Sequence, residues 1–164
     1  MKDQSIENLP LVLQEIKSRP LMVLRLSVGK PQVIGHTPTV NRLIGVLDNG
    51  TFEGERLSGI VLPGGSDWQS TSDQGITLLD CRFSLKTTDG ELISIKYKGI
   101  RANPPAVIDS LEKGEPISPE DYYLRISPVF ETASEKYSWI NKVVAIGIGD
   151  RQPHGPVYSV FEVL

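Results

Sequence analysis

Apolar and polar residues alternate with a period of two along most of this chain, from about residue 21 onward. In the stretch 76–85, for example, Leu79 and Cys81 point to one face while Asp80 and Arg82 point to the other. This period is typical of β-strands. Bounded by Gly, Pro, Asn and Asp, the pattern predicts about nine strands. They lie at 21–28, 31–36, 40–47, 51–62, 76–87, 91–102, 121–132, 137–149 and 156–164.

Two short turns set the direction of neighbouring strands. Asp48-Asn49-Gly50 and Thr88-Asp89-Gly90 have the composition of hairpin turns, so the strands that they join are expected to be antiparallel. About nine strands exceed a comfortable open sheet. We therefore predict an all-β fold, a closed or nearly closed antiparallel barrel of about 8–10 strands with one or two short helices. A length of 164 residues suits one core, which predicts a single domain over 1–164.

Helical spacing is confined to two short segments. Pro105 to Lys113 forms one, and the other lies in the first 20 residues and ends at Pro20. Its apolar positions recur at Leu9, Val12, Leu13 and Ile16. This N-terminal helical segment, residues 1–20, is expected to pack on the barrel.

Charge and composition exclude several classes of partner and site. A net charge of −3 leaves no broad basic surface, so no nucleic-acid partner is expected. No secretory signal and no apolar run of about 18 residues is present, which predicts a cytoplasmic protein that does not bind membranes. Cys81 is the single cysteine, and His36 and His154 are not spaced as a metal pair. With no dinucleotide or phosphate-binding motif, neither a metal nor a cofactor is expected.

A candidate acid–base residue follows the pair Gly64-Gly65. Asp67 and Trp68 stand where glycines can aim side chains into the mouth of a barrel. A carboxylate beside an indole gains a raised pKa and serves as a general base. The alternative is that Asp67 caps the amides of its own loop and Trp68 fills the core.

The strand 121–132 carries a polar stripe. Its members on one face are Tyr123, Arg125, Ser127, Val129 and Glu131. In a ligand-holding barrel this face lines the lumen, with Glu131 as a second acid or base, whereas in a plain sandwich it faces solvent. Arg125 and Glu131 lie roughly 20 Å apart along the strand, so they mark separate regions. Structural ion pairing is the alternative for both.

Two further strands supply candidate ligand contacts. Tyr97 and Arg101 share a face, and Arg101 with Arg125 could bracket a carboxylate, phenolate or enolate. Trp139 and Asn141 share a face of 137–149, although core packing or surface exposure explains such residues equally well. The run 143–149 is apolar on both faces, which predicts a homodimer or larger assembly unless the N-terminal helix covers it.

Six motifs occur in a characteristic order. They are Leu62-Pro63-Gly64-Gly65-Ser66-Asp67-Trp68-Gln69, Gly99-Ile100-Arg101, Pro104-Pro105, Asp121-Tyr122-Tyr123 with Arg125, Phe130-Glu131-Thr132 and Trp139-Ile140-Asn141. Together they resemble the domain-of-unknown-function 3237 family of bacterial and fungal proteins, from about Leu21 to Leu164. The resemblance implies a compact, closed antiparallel barrel but no agreed catalytic set. Ala102-Asn103 departs from the His-Gly-like pair expected after Gly-Ile-Arg.

Two functions compete for these residues. The first is a cofactor-free enzyme of proton-transfer chemistry, an isomerase, cyclase, hydratase or lyase acting on a carbonyl- or phenol-bearing molecule. Asp67, Glu131 and Arg125 would be catalytic, and the contacts would be Trp68, Tyr97, Arg101, Tyr123, Trp139 and Asn141. The second is a carrier or sensor of a small apolar ligand. A catalyst places a carboxylate inside a pocket near an Arg or Tyr, whereas a carrier's pocket is almost wholly apolar.

Overall fold

A computed structural model describes residues 5–113 and 115–164 of the chain. It contains ten strands within those ranges. They are β1 Ser18–Val28, β2 Gln32–His36, β3 Asn41–Glu53, β4 Ser58–Val61, β5 Gly65–Thr71, β6 Ile76–Thr87, β7 Leu92–Ala102, β8 Tyr123–Glu131, β9 Ala145–Gln152 and β10 Gly155–Val163. One α-helix, α1 at Pro105–Glu112, follows β7, and 3₁₀ turns occupy Ile6–Asn8, Leu11–Leu13 and Ser138–Lys142.

The strands close into an antiparallel barrel, which confirms the predicted fold class. The order is β1-β10-β9-β8-β7-β6, and β4 and β5 then share one position between β6 and β3. Pairing of β3 with β1 closes the ring at eight positions, and β2 adds to the edge of β3. Closure leaves the barrel strands paired on both sides, so the barrel has no long open edge.

The inward face is apolar along most strands and forms the core. On β6 the buried residues alternate from Thr77 to Thr87, and on β8 they are Leu124, Ile126, Pro128 and Phe130. The interior is filled most tightly around Leu85, Ile93 and Ile140, which are fully buried. Beyond Tyr97 and Tyr158, toward the Arg101 end of β7, the lumen opens into a cavity.

Three predicted local structures were wrong. Asp48-Asn49-Gly50 is no turn, because β3 runs through it and Gly50 has no positive φ. The segment between the predicted strands 51–62 and 76–87 contains β5, and the predicted strand 137–149 begins with the 3₁₀ turn at Ser138–Lys142. The turn at Thr88-Asp89-Gly90 is confirmed, with Gly90 at φ +95°.

The N-terminal segment does not form the predicted amphipathic α-helix. Leu11, Val12 and Ile16 are 76–82% exposed, so they do not pack on the barrel. A stretch this short between Pro10 and Pro20 cannot offset the cost of helix nucleation without a packing partner. Residues 1–4 of the predicted segment lie outside the described residues.

The outer face of β9 is apolar and uncovered in the single chain. Val144, Ile146 and Ile148 are each at least 42% exposed on it. Homodimer or larger assembly therefore stays a prediction.

No helix of the described residues has the length and apolarity to cross a membrane.

Gly50 marks the place where the barrel closes. It pairs with Leu26 on β1 and with Val61 on β4, and a Cβ there would lie 2.2 Å from the carbonyl oxygen of Arg25. We expect Gly50→Ala to lower the free energy of unfolding by about 1–3 kcal/mol, because the backbone of β1 must move. Urea denaturation measures this change.

Gly45, on the same strand, is the matched control. A Cβ there meets no atom closer than 3.5 Å, so Gly45→Ala should leave stability unchanged or raise it by about 0.4–1 kcal/mol. Equal losses in both variants would contradict a special role for close approach at Gly50.

Candidate active site

A cavity of about 330 Å³ occupies the open end of the barrel, and we call it the lumen cavity. Side chains from β5, β7 and β10 supply its polar wall, and the β1–β2 and β9–β10 connections form its rim. The polar and aromatic residues that line it are Asp67, Gln69, Tyr97, Arg101, Arg151, Gln152, His154 and Tyr158. Leu26, Leu43, Leu47, Leu79 and Leu124 supply apolar walls.

Asp67 is the buried carboxylate of this cavity, with 7% of its surface exposed. Its Oδ2 accepts a hydrogen bond from Gln69 Nε2 at 3.0 Å. Its Oδ1 is shielded from solvent and has no protein partner. Burial raises the pKa of Asp67 to about 6, against the smaller opposing effects of Gln69, of the Asp80 backbone and of the charge on Arg101. A buried acid with a free oxygen and a pKa near neutrality is suited to exchanging protons.

Arg101 lies next to the same glutamine. Its Nη2 is 3.4 Å from both Gln69 Oε1 and Thr77 Oγ1, while its Nε is shielded and has no protein partner. Gln69 thus bridges the carboxylate and the guanidinium, with its amide nitrogen toward Asp67 and its oxygen toward Arg101. Burial, and then the charge of Arg151, lowers the pKa of Arg101.

Two tyrosines lie at the inner end of the cavity. The rings of Tyr97 and Tyr158 are 5.7 Å apart, and both residues are only 1% exposed. Burial raises the pKa of each hydroxyl well above its usual value, so both stay protonated. Neutral hydroxyls can donate hydrogen bonds to negative charge that develops on a ligand. Burial likewise raises the pKa of the Cys81 thiol, as expected for an unreactive buried cysteine.

Strand register brings these groups together. Asp67 on β5 pairs with Cys81 on β6, and Cys81 pairs with Tyr97 on β7. The three residues therefore lie side by side on the inner face of the sheet. Chemically, the site combines a proton acceptor, neutral donors and one partly buried cation, which can deprotonate a bound molecule and stabilise the resulting anion.

Trp68 faces away from the lumen, contrary to the predicted contact. Successive residues of a strand point to opposite faces, so an inward Asp67 directs its neighbour outward. Trp68 is 50% exposed and donates its indole N–H to Ser66 Oγ at 3.1 Å.

The polar stripe of β8 also faces outward. Its inner positions are taken by Leu124, Ile126 and Phe130, whose burial stabilises the core. The guanidinium of Arg125 packs 4.8 Å from the ring centroid of Tyr123. Both residues, together with Trp68, line a broad external depression of about 790 Å³, which we call the outer cleft. Glu131 is exposed and pairs with Ser94 at the far end of β7 from Arg101. None of these residues reaches Asp67.

Trp139 and Asn141 have structural contacts at the opposite end of the barrel. The guanidinium of Arg56 stacks 4.0 Å from the Trp139 ring centroid. Asn141 accepts a hydrogen bond from the Thr132 amide at 2.8 Å and donates one to its carbonyl at 2.9 Å. Neither lines the lumen cavity.

Sequence reasoning missed five polar and aromatic residues of the site, Gln69, Arg151, Gln152, His154 and Tyr158. Gln69 stands two positions after Asp67, and because side chains alternate along a strand the two lie on the same face. The same alternation in the last strand could have identified Tyr158 as an inward-facing residue. Arg151 and Gln152 end β9 and His154 lies in the β9–β10 connection, and no local pattern brings this end of the hairpin over the lumen. Within the described residues, no three His, Cys, Asp or Glu side chains form a group that could hold a metal ion.

A family model described as a protein of unknown function, DUF3237, matches residues 16–163. The chain belongs to the DUF3237 family. This confirms the resemblance drawn from the six motifs. Among DUF3237 relatives, a UPF0311 protein of Clostridium acetobutylicum is 31% identical over 153 residues, covering 92% of this chain and 96% of its own.

Solved structures share the DUF3237 barrel. A β-barrel-like protein of Acinetobacter baumannii is 33% identical with a TM-score of 0.81, over 96% of this chain and 99% of its own. A conserved protein of unknown function from Rhodopseudomonas palustris is 29% identical with a TM-score of 0.85, over 92% and 99%. An enzyme from Penicillium herquei is 19% identical with a TM-score of 0.68, over 91% and 95%, a likeness of fold alone.

Proposed function

We propose that this barrel is a cofactor-independent enzyme that binds a small carbonyl- or phenol-bearing molecule in the lumen cavity and moves a proton on it. Asp67 is the base or acid. Tyr97, Tyr158 and Arg101 stabilise negative charge on the ligand oxygen. Isomerisation, cyclisation, hydration and elimination all need this kind of step.

One observation carries the proposal: the carboxylate of Asp67 is buried in the wall of the lumen cavity with Oδ1 unpartnered and with a pKa of about 6. Buried polar groups without partners are rare in folded proteins and are often catalytic. Acid–base catalysis is most efficient when the pKa lies near the working pH. The distant fold neighbour from Penicillium herquei is called an enzyme, which agrees with this proposal without deciding it.

The competing function is carriage of an apolar ligand, and the leucines of the lumen favour it. A carrier has no need of a buried carboxylate, because desolvating that group costs stability. Asp67 and Arg101 in the same cavity therefore favour the enzyme.

Hydrogen–deuterium exchange tests the proposal without knowledge of the natural substrate. Two probes carry the required groups, 2-tetralone and 2-hydroxyacetophenone, and NMR in D₂O follows loss of their α-protons. We expect the wild type to accelerate exchange above the buffer rate. Gly45→Val should return it toward that rate, because Gly45 lines the lumen cavity and the new side chain occupies ligand space.

Ser70→Val is the matched control, since Ser70 lies on β5 but lines the outer cleft. It should leave exchange unchanged. Exchange at the buffer rate with both probes, or a rate that falls in Ser70→Val and not in Gly45→Val, would contradict a reaction in the lumen. Thermal unfolding confirms that each variant is folded, and Gly45→Ala is the milder substitute.

A further inference from the structure

The lumen cavity is net positive although the whole chain has a net charge of −3. Among its lining residues, all of which the structure describes, the charged side chains are Arg101, Arg151 and Asp67. His154, in the β9–β10 connection, also lines the cavity. Two permanent cations therefore face one carboxylate, and the carboxylate itself is half neutralised near pH 6.

Neither arginine has an acidic partner within the described chain. No ion pair within 4.0 Å involves Arg101 or Arg151 there. Asp150, the acid next to Arg151, accepts hydrogen bonds from Tyr122 and Gln152 instead, each at 3.1 Å. Both guanidinium groups are thus available to an anion.

Arg101, the less exposed of the two arginines, carries the stronger evidence for an anion site. Arg101 makes only two long contacts, both at 3.4 Å, and its Nε has no partner at all. A guanidinium has five N–H donors, and leaving one unpaired in a shielded position costs free energy. The charge of Arg151 adds repulsion, which helps to lower the pKa of Arg101. An anion between the two would remove both penalties.

We infer that the molecule taken into the lumen carries a carboxylate, which binds to Arg101 and Arg151 at the mouth while a hydroxyl or carbonyl group of the same molecule reaches Asp67. This rests on the proposed function and names its substrate class. A carboxylate fits because the planar guanidinium donates to both of its oxygens. Gln69, held between Asp67 and Arg101, sets the separation of the two recognition points.

The size of the cavity limits the rest of the molecule. About 330 Å³ lies at the lower end of the usual range for ligand sites, roughly 300–1,000 Å³. Leu43, Leu79 and Leu124 form apolar walls around this space. The substrate class is therefore a small, largely apolar hydroxy- or oxo-substituted carboxylic acid.

Calorimetry with charged and neutral isosteres tests this inference. The probes are 2-hydroxybenzoate, 4-hydroxybenzoate and 3-hydroxy-2-naphthoate, each compared with its carboxamide at pH 7.5 and low salt. We expect at least one carboxylate to bind about tenfold or more tightly than its amide, the effect of one charge-assisted hydrogen bond. This comparison uses only the wild-type protein and does not depend on the folding of any variant.

Variants locate the binding group. Arg101→Gln should reduce the affinity for the carboxylate about tenfold and that for the amide less than threefold, and exposed Arg151→Gln should reduce the former about threefold. Arg125→Gln is the matched control, because Arg125 lines the outer cleft, and it should change neither affinity. If Arg101→Gln does not fold, Arg101→Lys replaces it, with a smaller loss expected because the bidentate fork is removed.

Equal affinity for acids and amides, a loss in Arg125→Gln instead of Arg101→Gln, or no saturable binding of any acid would overturn the inference. The proposed function fails differently, through absence of exchange on the neutral ketones. Exchange on the ketones without carboxylate binding would support an enzyme whose substrate is neutral. Carboxylate binding without exchange would support an anion-binding protein that is not this enzyme.

Discussion

Asp67→Asn is expected to slow proton exchange on the ketone probes about 10²–10⁴-fold, the usual contribution of a general acid or base. Asparagine has nearly the same shape and can still accept the hydrogen bond that Gln69 donates to the carboxylate. It has no titratable proton, so only the chemistry is removed. NMR exchange rates measured at pH 7 and pH 8, where the carboxylate is mostly ionised, provide the comparison.

Glu131→Gln is the control for this loss. Glu131 is an exposed carboxylate on β8, outside the lumen cavity, so its neutralisation should leave the exchange rate within about twofold of the wild type. A similar loss in both variants would point to a general effect of charge. Retained exchange in Asp67→Asn would remove Asp67 from the mechanism.

The barrel could be predicted from sequence because its main signals are local. Alternation on β6 and β7, together with the turn at Gly90, identifies an antiparallel pair without tertiary information. The same alternation placed Tyr97 and Arg101 among the candidates, the Gly64-Gly65 pair pointed to Asp67, and the lumen cavity contains all three. Their proximity depends on the register of β5, β6 and β7, which no local pattern contains.

The errors arose where the composition of a segment suggested one structure and the alternation of side chains along a strand required another. Asp67 and Trp68 are adjacent, so a strand can direct only one of them inward, and treating their segment as a loop hid this constraint. On β8 the polar stripe looked suited to a lumen, but burial of Leu124, Ile126 and Phe130 outweighs it. A barrel with a mostly packed interior needs only a small polar region at one end.

Glycine was ambiguous for a physical reason. Asn49-Gly50 has the composition of a hairpin turn, yet Gly50 serves close approach of β1 to β3 within an extended strand. Glycine supports both roles, because it lacks a Cβ and also tolerates positive φ. Only the partner strand, distant in sequence, decides between them.

The stability of the same Asp67→Asn variant should exceed that of the wild type by an amount that grows with pH. The pKa of Asp67 is raised from 3.8 to about 6 in the folded protein. At pH 3 and below the carboxyl is mostly protonated in both the folded and the unfolded states, so its ionisation costs little. Between about pH 4 and pH 6 the unfolded state ionises while the folded state keeps its proton, which lowers wild-type stability by about 3 kcal/mol, and above this window the loss is complete because both states are ionised.

Asparagine does not ionise, so the difference in unfolding free energy between Asp67→Asn and the wild type should widen by about 3 kcal/mol from pH 3 to pH 8. Urea denaturation across this range measures it, and comparing the two pH values cancels any constant effect of the substitution. Glu131→Gln, which removes an exposed charge, should show a much smaller change. A difference that is flat with pH would contradict a buried, ionising Asp67. A chain that keeps this costly carboxylate, when asparagine would fit the same space, retains it for a reason other than stability.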